Sequence, residues 1–337
     1  MSLAIGIIGL PNVGKSTLFQ ALTKKEVDRS NSPFATLDPN IGVVEVPDER
    51  LKKLAEFSNS KKTVPAIVQF VDIAGLVKGA AEGEGLGNKF LSHIREVDAI
   101  LEVVRAFPAE GGSASGGEDI IHIYGNVNPE RDIAILETEL ALKDLETAEK
   151  VLPRFEKETK ANAPKAGERL ETLKNLAAAL KKGVPASKDA RAAEISKELS
   201  LLTSKPILYC FNINSANPPA SLPRPGLALD LKREIEAPSA GLPNLISEAY
   251  RVLKLITFFT TGEDETRAWT IPQNSKATRA GRAIHGDFEE KFIKAAVISC
   301  ASLLASGSWA EAKAAGLIRT EGKDYPVRDG DVIEFKI

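Results

Sequence analysis

The chain has only two cysteines, Cys210 and Cys300, in 337 residues, and neither belongs to a CxxC or Cys/His spacing. That scarcity excludes a disulfide framework or a zinc site of the usual spacing, and it fits a reducing cytoplasm. Excess charge of one sign is also missing. Lys plus Arg number 44 against 46 Asp plus Glu, a net charge of −2, so any contact with nucleic acid or an anionic membrane must use local patches. The first apolar run, Leu3 to Leu10, is too short to span a bilayer and lacks the basic flank and cleavage pattern of a targeting segment. Internal repeats are not visible, and the only biased tract, GGSASGG at Gly111 to Gly117, reads as a surface loop.

What is present is ordinary globular material, 43% apolar and 27% charged, at a length that predicts two or three domains. Leu3 to Ile8, Ala66 to Val71, Ala99 to Val104 and Pro206 to Phe211 are short apolar runs that read as buried strands. Stretches with helical spacing separate them, such as Leu51, Leu54, Ala55 and Phe90, Ile94, Val97, so the first two-thirds is α/β with a mostly parallel sheet. Between Arg131 and Leu202 strand-like runs vanish. Ile133, Leu136, Leu140, then Leu145, Ala148, Leu152, and then Leu170, Leu173, Ala177, Leu180 keep helical spacing, which predicts an antiparallel hairpin inserted in the α/β region. Pro153, Pro164, Gly183 and Pro185 are expected at its turns. From Lys254, two strand-like runs flank Gly262 to Asp264 and a final strand follows DGD, which predicts a small α+β module.

Gly9-Leu-Pro-Asn-Val-Gly14-Lys15-Ser16 satisfies G-x-x-x-x-G-K-[ST] directly after a strand and before a helical run. In that context an ordinary glycine-rich turn is the weaker alternative. Glycines let backbone N–H groups curl around phosphates, Lys15 reaches the β and γ phosphates, and Ser16 offers its hydroxyl to magnesium. Asn12, Val13, Gly14, Lys15, Ser16 and Thr17 are therefore the candidate phosphate cradle. Asp72-Ile-Ala-Gly75 ends a buried strand, where Asp72 would approach magnesium and Gly75 could follow the γ-phosphate; taken alone, it is also a common strand-end turn. Thr36, in a loop between the two motifs, is a candidate magnesium ligand of a first switch.

Two expected features are missing. The strand at Pro206 to Phe211 is followed by Asn212-Ile-Asn-Ser215, not the N-K-x-D of translational GTPases, and a site without that carboxylate loses its main reason to prefer guanine. Leu76 stands where Ras-like enzymes carry the glutamine that orients the attacking water, and leucine cannot hydrogen-bond water.

GLPNVGKSTLFQALT, NSPFATLDPNIGVVEVPDERL, FVDIAGLVKGAAEGEGLGNKFLSHIREVDAI, NVNPERDIAILETELALKDLE, FFTTGEDETRAWTI, AIHGDFEEKFIKAAVI and EGKDYPVRDGDVIEF together resemble the Obg-like ATPase (YchF) family over nearly the whole chain. The resemblance implies a P-loop G domain at 1–130 and 203–253, a coiled-coil insertion at 131–202, and a ubiquitin-like TGS domain at 254–337. It implies an ATPase in preference to a GTPase, associated with ribosomes or ribosomal RNA, using Mg2+ at Ser16, Thr36 and Asp72. Potassium at Asn12 is implied in the same way; the alternative is that Asn12 only shapes its loop. His122 matches the family's replacement for the missing glutamine, joining Lys15 and Gly75 as catalytic candidates; a packed core histidine is the alternative for its IIHI run. Asn212, with the Ile213 backbone beside it, is the carried-over base contact. The family's N-x-x-E is matched only at the asparagine, with Ser215 in the glutamate's place and a shortened, proline-rich stretch following.

Arg154, Lys157, Lys160, Lys165 and Arg169, and then Lys181, Lys182, Lys188 and Arg191, outnumber their acidic neighbours near the hairpin ends and are candidates for RNA phosphates or an ordinary solvated face. Lys276, Arg279 and Arg282 form a similar stripe in the last module, where Trp269 and Phe288 read as core in preference to base-stacking platforms. The expectation is a monomeric cytoplasmic ATPase switch without membrane contact. A GTPase of the same fold and a nucleotide-gated scaffold without turnover are its rivals.

Overall fold

The computed structural model describes residues 3–23, 41–73, 86–107, 126–161, 163–237 and 239–337. In chain order the first elements are β1 (Ala4–Ile8), α1 (Lys15–Thr23), β2 (Ile41–Glu45), α2 (Glu49–Phe57), β3 (Lys62–Val64), β4 (Ile67–Asp72), α3 (Leu86–Glu96) and β5 (Ala99–Arg105). The helical section holds α4 (Pro129–Lys160), α5 (Ala166–Lys181) and α6 (Ala193–Glu198). It is followed by β6 (Ile207–Asn212), β7 (Gly226–Leu229), α7 (Leu231–Glu236) and α8 (Gly241–Val252). The last section comprises β8 (Leu255–Thr261), β9 (Glu265–Pro272), α9 (Ala277–Ile284), α10 (Gly286–Glu290), β10 (Lys294–Ser299), α11 (Cys300–Ser306), α12 (Trp309–Ala314), β11 (Arg319–Glu321) and β12 (Asp331–Lys336).

The first sheet runs β2-β4-β1-β5-β6-β7. Only β2 is antiparallel to its neighbour; β4, β1, β5, β6 and β7 pair in parallel. Parallel strands covered on both faces need near-continuous apolar sequence, which AIGII and AILEVVR supply: every residue of β5 is buried. The register sets Ile7 beside Asp72 and Ile8 beside Glu102, so the loops after β1 and β4 open on the same edge.

The inserted segment folds back on itself. Asn128 caps α4 by accepting from the Arg131 N–H at 3.1 Å, and Pro129 occupies the first turn, where no intrahelical partner for its nitrogen is needed. α5 returns along α4 and buries Leu173, Leu176 and Leu180 against Ala141, Ala148 and Phe155. Pro153 does not make a turn as expected; it lies inside α4. Its position is exposed, so the carbonyl deprived of a partner can face water while Phe155, two residues on, carries the helix across the hairpin core. At the hairpin's exit the buried Asp144 accepts from the backbone N–H of Leu202 at 2.8 Å and of Thr203 at 2.7 Å, and from the Thr203 hydroxyl at 2.7 Å. Burial raises the Asp144 carboxyl, and those bonds partly offset it.

The second sheet runs β11-β10-β12-β8-β9-β3. One face packs with Phe259, Ala268, Ile298 and Val332 into the same core as Leu51, Leu54 and Leu245 of α2 and α8. The other face carries Phe258, Ile271, Phe292 and Phe335, with Trp269 and Phe288 packed against them. Residues 62–64, which precede the Asp72 strand in sequence, pair in parallel with β9 at the sheet's edge. Ser60 Oγ bonds the Gly262 carbonyl at 2.7 Å, and Arg50 bridges Asp48 and Asp329 at 2.7 and 2.6 Å. The two sheets are therefore joined through the α2–β3 segment as well as by sequence order. Among the described residues, no helix is long and apolar enough to cross a membrane.

Candidate nucleotide site

Residues 9–14 form the turn between β1 and α1. Gly9 has φ +154° and Gly14 φ +106°; a Cβ on Gly9 would lie 2.5 Å from the Val103 carbonyl oxygen, and one on Gly14 would lie 2.6 Å from Asn212 Nδ2. Both positions thus need glycine for conformation and for space. Asn12 adopts φ 62°, a left-handed conformation that asparagine tolerates better than most residues. Its side chain is exposed at the tip of the loop while Val13 is buried beneath it. The first helical bond of α1 runs from Leu18 N to Gly14 O at 2.9 Å, which leaves the N–H groups of Lys15, Ser16 and Thr17 in the unpaired first turn of the helix.

Lys15 Nζ donates to the Leu10 carbonyl at 2.8 Å, so the side chain curls over its own loop. Burial pushes the Lys15 ammonium below its usual value, and the charge of Asp72 partly restores it. Burial likewise raises the Asp72 carboxyl, and Lys15 partly lowers it again. The two groups come from α1 and from the end of β4, and each feels the other as its charge partner. A partly desolvated cation beside a partly desolvated carboxylate, with the exposed Ser16 hydroxyl one residue away, is a hard-oxygen and point-charge donor set. It fits phosphate with a divalent cation; among the described residues there is no cluster of three His, Cys, Asp or Glu side chains to hold a metal without a ligand's help.

Asn212 ends β6 and is buried. Its Nδ2 donates to the Val13 carbonyl at 3.0 Å, and its Oδ1 accepts from the Leu231 N–H at 3.4 Å. It therefore braces the phosphate loop against the turn after β7. The Ile213 N–H is bonded to the Leu229 carbonyl at 2.9 Å. Three residues after Asn212, Ser215 donates from N–H and from Oγ to Asp230 Oδ2, at 3.0 and 2.7 Å. Sequence reasoning did not single out Asp230; the signal was an acidic residue directly after a short strand, and the partner 15 residues away was not readable from spacing.

The structure brings together the loop residues 12–17, Asp72 and Asn212 at one edge of the sheet. Thr36, Gly75, Leu76 and His122 lie outside the described residues, as does the Gly111 to Gly117 tract. Of the basic residues near the hairpin end, Arg154 and Arg169 both pair with Glu198, and Arg169 lies 3.8 Å from Glu158. In the last module Lys276 pairs with Asp324 at 2.6 Å and Arg282 with Glu289 at 3.2 Å.

A family described as 50S ribosome-binding GTPase matches residues 4–138. The C-terminal family of YchF GTPases, described as a protein of unknown function (DUF933), matches residues 255–337. The ribosome-binding ATPase YchF of Bacillus subtilis is 44% identical, covering 100% of this chain and 99% of its own. That of Escherichia coli O157:H7 is 41% identical over 99% of each. The alignment with the first runs over 375 positions, more than this chain's 337 residues, so this chain carries deletions relative to it. The solved YchF GTPase of Schizosaccharomyces pombe superposes with a TM-score of 0.84 at 36% identity, over 99% of this chain and 98% of that one. Identity at this level, held from one end of the chain to the other, places the protein in the YchF family.

Proposed function

We propose that this protein is a magnesium-dependent ATPase that acts as a nucleotide-gated switch on ribosomes. The observation that carries the reading is the placement of Lys15 and Asp72, from α1 and the end of β4, at the edge where the first helical bond of α1 is made only by the Leu18 N–H, which leaves the N–H groups of its first turn for a ligand. Curated relatives of full length bear the name ribosome-binding ATPase, which supports both the reaction and the partner.

In this reading the N–H groups of Val13, Gly14, Lys15, Ser16 and Thr17 hold the phosphates. Lys15 leaves the Leu10 carbonyl to neutralise charge that grows on the transferring phosphoryl group. Ser16 and Asp72, with Thr36, would hold Mg2+, which would offset the negative charge of the phosphates. Asn12, exposed at the loop tip, is the proposed potassium contact. Gly75 follows the γ-phosphate and His122 positions the attacking water in place of the glutamine that Leu76 replaces. Residues 131–202 serve as a coiled-coil arm, and 254–337 as a ubiquitin-like TGS module beside the G domain of 1–130 and 203–253. The protein works as a cytoplasmic monomer.

Co-sedimentation with ribosomes tests the switch. Retention should differ between a non-hydrolysable ATP analogue and ADP, with magnesium present throughout. Equal retention in both states, or none in either, removes the ribosome-linked switch.

A further inference from the structure

The sequence leaves the base pocket without its acid, because Ser215 occupies the motif position three residues after Asn212. The structure assigns that role to Asp230: its carboxylate, held in place by Ser215, is the group that selects the base, and it selects adenine. This rests on the reading of the site as an ATP site and names the residue that makes it one.

Asp230 directly follows β7, which lies in parallel beside β6, so the carboxylate stands at the same sheet edge as Asn212 and the phosphate loop. Ligands of open α/β sheets bind outside this edge. Ser215 N–H and Oγ both donate to Asp230 Oδ2, at 3.0 and 2.7 Å. The acid absent from the loop after β6 is thus replaced by one from the next strand, drawn onto the residue that took its place. The adjoining residue, Leu231, donates its N–H to Asn212 Oδ1 and would stand 3.2 Å from a Cβ on Gly14. Asp230 is therefore one residue from groups that touch the phosphate loop.

The choice of base follows from counting acceptors. An ionised carboxylate offers about four acceptor positions. Two on Oδ2 are taken by Ser215, and one on Oδ1 by the Arg233 N–H at 3.1 Å. One position is left, enough for the single 6-amino group of adenine. Guanine presents two adjacent donors, N1–H and N2–H, and would leave one of them unmatched against the carboxylate once the bound base covers it from water, which costs affinity. Burial alone would raise the Asp230 carboxyl, but the Ser215 and Arg233 bonds outweigh it and hold the group below the ordinary carboxylate range, so it is ionised at neutral pH.

Competition against a fluorescent ATP analogue, with the full chain and magnesium, should be run with ATP, GTP and inorganic tripolyphosphate. Wild type should prefer ATP to GTP by about tenfold or more, the size of one hydrogen bond to a charged group. Asp230→Asn keeps the side-chain oxygen that caps α7, so the variant should fold. Its ATP-to-GTP preference should shrink about tenfold through weaker ATP binding, with tripolyphosphate affinity unchanged. Ser215→Ala should shrink the preference by less, because Ser215 only positions the carboxylate. An unchanged preference in Asp230→Asn, or a wild type that favours GTP, overturns the assignment while leaving the phosphate site standing. A wild type that binds none of the three competitors overturns the ATP-site reading and this assignment together.

Discussion

At the edge of the first sheet Lys15 and Asp72 are both held away from their ordinary ionisation by burial, and the turn beside them is bent through Gly9, Asn12 and Gly14. The second sheet treats its polar groups differently. Tyr250 OH meets the Ile256 carbonyl, Thr257 and Thr270 within 3.1 Å, and Tyr325 OH donates to Asp331 at 2.8 Å while accepting from Arg319 at 2.9 Å. A region that satisfies its own donors and acceptors is built to hold shape. A region that leaves a cation and a carboxylate poorly solvated gains when a charged ligand arrives.

Breaking the first half of that contrast should give the largest effect. Lys15→Ala should lower ATP turnover by ~100-fold or more, since it removes charge stabilisation from the transition state. The Lys15 charge opposes folding because burial depresses its pKa, so the melting temperature should not fall. Turnover at the wild-type rate in a folded variant would remove the phosphate-loop reading. His122→Ala should lower turnover by roughly 100-fold, as loss of a positioned acid–base group does, while leaving ATP affinity unchanged. A parallel loss of affinity and melting temperature would show a core histidine instead. A smaller effect is expected from the monovalent ion: hydrolysis should run faster in potassium than in sodium at equal ionic strength, and Asn12→Ala should erase the difference. Equal rates in both salts would leave Asn12 as a residue that only shapes its turn.

The smallest effect belongs to the second sheet. Arg50 bridges Asp48, whose side chain is 12% exposed, to the more exposed Asp329, and ion pairs at a protein surface contribute about 1 kcal/mol each. Arg50→Ala should therefore shift the urea midpoint slightly and leave turnover unchanged. A large drop in turnover would mean that the α2–β3 segment transmits more to the site than the contrast allows.

Much of the first sheet was legible. β1, β4, β5 and β6 are short apolar runs bounded by turn residues, because parallel strands buried on both faces cannot alternate. The phosphate loop was legible for a local reason: its glycines, lysine and serine are contiguous. Long-range geometry was not. β3 is three residues, KTV, two of them exposed, with no periodic signal to announce that it would pair with β9 some 200 residues on. Pro153 looked like a turn because helix interiors disfavour proline, and tertiary packing around Phe155 overrode that preference. Glu102, buried in the apolar run of β5 with no hydrogen-bond partner among the described residues, is raised well above its usual range by burial and by Glu137. One acidic letter between leucine and valine gave no sign of it. The Ser215–Asp230 pair was hidden for the same reason as β3, since the fold and not the spacing brings the two together.

Hydrolysis itself is the most direct readout of the phosphate site. Single-turnover phosphate release should be measured with the protein in excess over trace ATP and magnesium present. The wild type is expected to release phosphate well above the rate of ATP alone, and Lys15→Ala is expected to fall back towards that rate. Release from the wild type no faster than from free nucleotide would contradict the account and leave a binding scaffold in its place.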